Sequence, residues 1–108
     1  MSNGSGNPVY GQHPINWSLA VGLTSIRVLP VNNVRKRLMF HNPHATANIA
    51  VCCVVDQNGN ALPAAINGQG SIVLSPLTTF EVRKHPVSAW NAISDDAAGQ
   101  LTILEFIY

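Results

Sequence analysis

One stretch, Ile49-Ala-Val-Cys-Cys-Val-Val55, limits what this chain can fold into more than any other. It reads as a strand, and the alternation of a strand sets Ile49, Val51, Cys53 and Val55 on one side and Ala50, Cys52 and Val54 on the other. Neither side is polar. Such a strand must be covered twice, once by its own core and once by a second layer of this chain or by another chain. The strand before it, Arg35-Lys-Arg-Leu-Met-Phe-His41, alternates: Arg35, Arg37, Met39 and His41 are expected to point one way, Lys36, Leu38 and Phe40 the other. A Pro43-His44 turn joins the two.

The remaining apolar segments are also short and separated by turn residues. A weak strand pattern over residues 19–31 is clearest over 25–31, and Pro30, which cannot donate to a ladder, sets this strand at an edge or ends it there. Val31-Asn-Asn-Val34 is a turn signal of the hairpin kind. Asp56-Gln-Asn-Gly-Asn60 is a tight turn with Asn58-Gly59 supplying the positive-φ position, and residues 67–70 form another. Residues 61–66 are ambiguous between strand and loop. Ser71-Ile-Val-Leu74 and Thr79-Phe-Glu-Val-Arg83 read as strands around a Ser75-Pro76 turn. Residues 88–94 fit either one helical turn or a short strand and lean to strand, 95–99 read as a turn, and 101–108 as a final strand whose one charge is Glu105. Six to eight short strands at this spacing describe an all-β chain, an antiparallel β-sandwich or jelly roll with an extended N-terminal arm. The expected division is an arm over 1–18 and a β-sandwich domain over 19–108.

Composition narrows the function classes. With 108 residues there is room for one domain and a single core. Only 10% of residues are charged, against about 25% in ordinary globular domains, so part of the surface is expected to be covered by partners. A net charge of +1 gives no long-range field to hold nucleic acid. No apolar run is long enough to span a bilayer, and no secretory signal is expected. Cys52 and Cys53 leave a strand on opposite faces and cannot pair with each other, so they read as small buried hydrophobes of a chain made in a reducing cytoplasm.

No pattern for chemistry emerges. His41 and His44 are separated by Asn42-Pro43, and no third ligand stands at zinc spacing. They read as hydrogen-bonded loop and strand histidines. His13 and His85 each precede a proline. Asp95-Asp96 reads as a turn pair accepting its own amides, with too few oxygens nearby for calcium. Gly68-Gln-Gly70 lacks the Lys-Ser/Thr of a phosphate loop, and no Gly-x-Ser-x-Gly elbow occurs. No catalytic residue, cofactor or metal site is expected, and the chain is not expected to be an enzyme. Trp90 reads as core, its indole N–H bonded to a loop carbonyl. Trp17 falls at the join of arm and domain, outside the strand ladder, where a large aromatic serves as an interface anchor. The arm is expected to lie on a neighbouring subunit through Val9, Tyr10, Ile15 and Trp17, the alternative being that it folds back on its own domain. Arg35 and Arg37, sharing a strand face, form a small basic patch that is either a solvated edge or a contact to a partner's carboxylates.

Several segments in order carry a resemblance. These are Arg35-Lys-Arg-Leu-Met-Phe-His-Asn-Pro43, Ile49-Ala-Val-Cys52, Gly68-Gln-Gly-Ser-Ile-Val-Leu-Ser-Pro76, Pro86-Val-Ser-Ala-Trp-Asn-Ala-Ile93 and Leu101-Thr-Ile-Leu-Glu-Phe106. Over residues 34–106 the chain resembles the small all-β virion proteins of tailed bacteriophages, among them head decoration (cement) proteins. The doubled cysteine and the arm depart from that pattern. The resemblance implies a non-enzymatic structural protein on the capsid surface of the virion, made in the host cytoplasm. Its partners would be the major capsid protein and further copies of itself, as homodimer or homotrimer. It implies no cofactor, no direct nucleic-acid contact, no membrane and no small-molecule substrate. The alternatives are a head–tail adaptor or tail component, or a carbohydrate- or receptor-binding β-sandwich module.

Overall fold

In the computed structural model, residues 13–68, 70–84 and 86–107 are described, His13 by its backbone alone. Eight strands run through them: β1 (His13–Ala20), β2 (Ile26–Leu29), β3 (Arg35–His41), β4 (Ile49–Cys53), β5 (Ile72–Leu74), β6 (Thr79–Val82), β7 (Trp90–Ser94) and β8 (Gln100–Ile107). They form two antiparallel four-stranded sheets, β1-β8-β3-β6 and β2-β7-β4-β5. Because β1 pairs with β8, β2 with β7, β3 with β6 and β4 with β5, the chain is one long nested hairpin rolled into a sandwich. That is the eight-stranded jelly roll. Among these connections only β4 to β5 stays within a sheet.

Two expectations are corrected by this topology. The 31–34 turn forms, with the Val34 amide on Asn32 Oδ1 at 3.1 Å and the Arg35 amide on the Asn32 carbonyl at 3.2 Å, yet it makes no hairpin. Pro30 ends β2, and the chain crosses the mouth of the sandwich to the other sheet. Nor does the domain begin at residue 19: residues 13–18 belong to β1, which runs beside β8 in unbroken register. Trp17 is therefore inside the ladder, opposite Ile103. The arm anchors Val9 and Tyr10 lie outside the described residues.

Cross-strand rows build the core. On the first sheet the inward rows are Ile15–Glu105–Leu38–Val82 and Trp17–Ile103–Phe40–Phe80. On the second they are Leu29–Trp90–Cys53 and Ile26–Ala92–Val51–Ile72. Phe40 and Trp90 meet across the gap with ring centroids 5.1 Å apart and planes at 58°, a tilted arrangement the ring quadrupoles favour. Leu29, Leu38, Phe40, Ile49, Leu101 and Ile103 are completely enclosed, each contributing about 1.5–3 kcal/mol by leaving water. Trp90 is core as expected, but its buried indole N–H meets no acceptor among the described residues, so the expected bond to a loop carbonyl does not form.

The double cover that β4 requires comes from this chain. Ile49 and Val51 enter the core, while Ala50 and Cys52 are buried on the other face. Residues 61–66 lie over that face. The Leu62 amide bonds the Val54 carbonyl at 2.9 Å, and the Leu62 carbonyl accepts from Asn91 Nδ2 at 3.0 Å and from the Cys52 thiol at 3.5 Å. The Ala64 amide then reaches Ser25 Oγ at 2.9 Å, just before β2. A segment ambiguous in sequence thus serves as the missing layer.

Candidate interaction surfaces

Arg35 does not join Arg37 on a surface. Between them the register with β8 shifts, Arg35 lying opposite Ile107 and Arg37 opposite Phe106, so Lys36 is the extra residue of a β-bulge. The bulge breaks the expected alternation at Arg35 and Lys36: Lys36 is exposed rather than inward with Leu38 and Phe40. Arg37, Met39 and His41 point outward as expected, while Arg35 turns inward at 2% exposure. There its guanidinium donates from Nε to Glu105 Oε2 at 2.6 Å, from Nη1 to the Pro86 and Ser88 carbonyls at 2.9 and 3.0 Å, and from Nη2 to the Pro30 carbonyl at 3.0 Å. One side chain ties β3, β8, the β2–β3 turn and the β6–β7 loop together at one end of the sandwich. Its planar fork suits that task better than an ammonium would. The basic-patch reading of Arg35 is overturned, since none of its charge faces a partner.

Arg37 is the exposed half of the expected pair. It bonds Glu81 through both Nε and Nη2, and its guanidinium lies 5.3 Å over the Phe106 ring. Hydrogen bonding from Arg37 holds the Glu81 carboxyl below its ordinary value, with the nearby charges of Arg37 and Arg83 adding to the effect. Beside this cluster the outer face of the first sheet carries the rows Asn16–Leu104–Met39 and Ser18–Thr102–His41–Thr79. A shallow depression of about 240 Å³ sits among them. Ser18 Oγ and Thr102 Oγ1 are 2.9 Å apart, as are His41 Nδ1 and Thr79 Oγ1. His44 Nδ1 accepts the amides of Thr46 and Ala47, so both histidines have structural partners. Asp95 holds the Asn48 amide and side chain, and Asp96 accepts the Ala98 amide within its own turn. Among the described residues no three His, Cys, Asp or Glu side chains gather where a metal ion could be held.

Sequence reasoning missed where the apolar excess emerges. Leu23, Val31 and Leu77 are each more than 60% exposed, and Val34, Val55, Ile72 and Val73 are nearly half exposed. Most lie in loops at the ends of the sheets, where period-2 patterning carries no information. Val55 and Ile72 also line a groove of about 490 Å³ beside β5, floored by Cys53, Leu62 and Trp90. Burial pushes both thiols up from their ordinary value, the more modest opposing influences being hydrogen bonds to Ser71 for Cys52 and Ser88 for Cys53. They therefore stay protonated and weakly nucleophilic. Ile15 and Trp17 sit half-buried on the inner side of β1, Trp17 packed against the core margin.

No protein-family profile matches the sequence, and no curated protein matches it. A solved chain of the Bacillus endospore appendages, described as forming a novel family of disulfide-linked pili, is similar in fold. It has a TM-score of 0.51 at 13% identity, covering 89% of this chain and 85% of that one.

Proposed function

We propose that this chain is a non-enzymatic structural protein of a bacteriophage particle, a decoration (cement) protein that binds the outer surface of the capsid and stabilises it. The observation that carries the reading is the surface itself. A chain with 10% charged residues leaves Leu23, Val31, Val55, Ile72 and Leu77 in water although its strands are well covered. Scattered apolar side chains are ordinary, but with so few charges between them they favour burial against neighbouring subunits. The jelly roll is a frequent fold of capsid proteins, which agrees with the sequence resemblance over residues 34–106. Each joint between shell subunits covered by such a protein buries on the order of 1,600 Å², and repetition over symmetric sites multiplies the gain.

The likeness to a pilus subunit favours a second reading, a tail or appendage component that assembles end to end. The disulfide linkage of those pili is not carried over, because both cysteines here sit in β4 and Cys52 is buried. Adding the purified protein to undecorated shells tests the proposal. Saturable binding in many copies with a raised temperature of shell rupture is expected. A chain that leaves shells unbound but co-purifies with tails supports the second reading instead. Deleting residues 1–12, which leaves β1 whole, is expected to weaken shell binding, and unchanged occupancy would remove the arm from the proposal.

A further inference from the structure

The four sheet edges are protected unequally. An edge strand offers unpaired N–H and C=O groups to any passing strand, and proteins blunt it by shortness, charge or a bulge. β2 is four residues long, carries Arg27 and is bulged between Arg27 and Leu29. β5 has three residues. β6 has four, with Glu81 inside it and Arg83-Lys84 directly after. β1 differs from all three: eight residues, His-Pro-Ile-Asn-Trp-Ser-Leu-Ala, with no Lys, Arg, Asp or Glu and no register shift against β8.

The backbone shows which groups that edge presents. Val21 donates to the Gly99 carbonyl at 3.0 Å, and Val21 opposite Gly99 continues the β1–β8 register. Hydrogen-bonded and non-bonded pairs alternate along an antiparallel ladder, so the odd-numbered residues Leu19, Trp17 and Ile15 bond to β8. Asn16, Ser18 and Ala20 direct their amides and carbonyls away from β8, where no described strand lies. Pro14 shares their parity, which is why a residue without an N–H is tolerated there.

From this we infer that β1 is a self-pairing edge. Two copies join β1 to β1, antiparallel about a two-fold axis near Trp17, fusing the β1-β8-β3-β6 sheets into one continuous sheet. A second copy is the occupant the chemistry selects, because the edge is its own complement. Without a formal charge in the strand, self-pairing sets no like charges opposite one another. A two-fold normal to the sheet keeps the inner sides together, so Trp17, half-buried at the open margin, meets its own copy while Ile15 of each copy meets Leu19 of the other, and the core closes. The small outer side chains of Asn16 and Ser18 leave the other face clear. The inference deepens the assembly reading by naming the contact between copies, and it rests on that reading only for its purpose.

The test uses the full chain and two single variants, Asn16→Pro and Ser18→Pro. Both place proline where the intramolecular ladder needs no donor, as Pro14 already does, so the fold is expected to survive. Asn16→Lys supplies a charge at the same edge without touching the backbone. Sedimentation velocity is expected to give the parent chain twice the monomer mass and each variant the monomer mass, with unchanged circular dichroism and a melting temperature that, unlike the parent's, does not rise with protein concentration. Amide exchange is expected to protect Asn16, Ser18 and Ala20 in the dimer and release them in the variants, while Ile15, Trp17 and Leu19 stay protected in both. A parent chain that sediments as a monomer throughout, or variants that dimerise as the parent does, overturns the inference. Shell binding measured separately keeps the two ideas apart: a dimer that ignores shells refutes the decoration reading, and a monomer that coats them refutes only the edge pairing.

Discussion

The ion pair of Arg35 and Glu105 is the feature whose removal should cost the fold most, and its magnitude can be worked from the contacts. The Arg35 side chain is 1% accessible and that of Glu105 10%. Replacing Glu105 by leucine leaves the guanidinium in the sandwich with three main-chain carbonyls and no counter-charge, and removing one partner of a buried pair costs about 3–5 kcal/mol. Arg35→Leu strands the carboxylate and deprives the Pro30, Pro86 and Ser88 carbonyls of their donor, so a similar or larger loss of about 4–5 kcal/mol is expected. The double variant removes both charges but still leaves three carbonyls bare, so it should lose about 5 kcal/mol rather than the sum, a coupling of roughly 3 kcal/mol. Urea denaturation at neutral pH measures this. With a slope of about 1.5 kcal/mol per M, each single substitution moves the midpoint by roughly 2–3 M. The exposed pair of Arg37 and Glu81 is the internal control, with the same chemistry outside the core, and Arg37→Leu should move the midpoint far less. Additive losses at Arg35 and Glu105, or losses no greater than that at Arg37, would refute the reasoning that burial and the shared carbonyls make this pair a structural tie.

Three further outcomes are expected. A Cβ at Gly99 would fall on Ser94 Oγ and the Val21 carbonyl oxygen, both fixed by the β7–β8 turn, so Gly99→Ala should destabilise by about 1–3 kcal/mol in thermal melts. Because burial raises both thiols, the native state holds protons that the unfolded chain releases above about pH 8.5, so stability is full below that value and falls as pH rises through the raised one. Urea midpoints on either side of it should show the slope, and Cys52→Ala with Cys53→Ala should flatten it. The lowered Glu81 carboxyl works in the opposite sense: its contribution is present above its unfolded value of about 4.3 and is lost as pH falls through the depressed one, so Glu81→Gln should shallow the acid limb of the stability profile.

Local chemistry was legible and long-range pairing was not. Pro30 ends β2, Gly59 takes φ +80°, and the Ser75-Pro76 turn closes with the Thr78 amide on the Ser75 carbonyl at 3.2 Å, because each depends on residues a few positions apart. That turn also puts Leu77 at φ +64°, which its composition hid, since glycine or asparagine is the usual signal there. The inward turn of Arg35 was illegible for a different reason. Alternation counts residues, and a bulge adds one without any mark in Arg35-Lys36-Arg37. The sheet to which each strand belongs was beyond reach too, because β1 finds β8 across the whole chain while every pair of sequence neighbours except β4 and β5 is sent to opposite sheets.

The strand that first suggested a need for partners turns out to supply weaker grounds for them than the strand that did not. Ala50 and Cys52 are buried within this chain, Cys52 beneath Leu62, so the two-sided apolar character of β4 is answered within one molecule. The exposed apolar residues lie elsewhere, on Leu23, Val31 and Leu77 in the loops, while β1 offers an uncharged edge that period-2 reading saw only as the tail of an arm. Residues 13–18 read as a strap because their apolar residues are few. As a strand, those same residues present one apolar side and one open ladder. An assembly built through that edge needs no enlarged apolar face, since main-chain groups supply the adhesion and the lack of charge permits it. If the edge pairing inferred for β1 holds, the scarcity of charged residues permits sheets to meet edge to edge and need not signal a core too large for its domain.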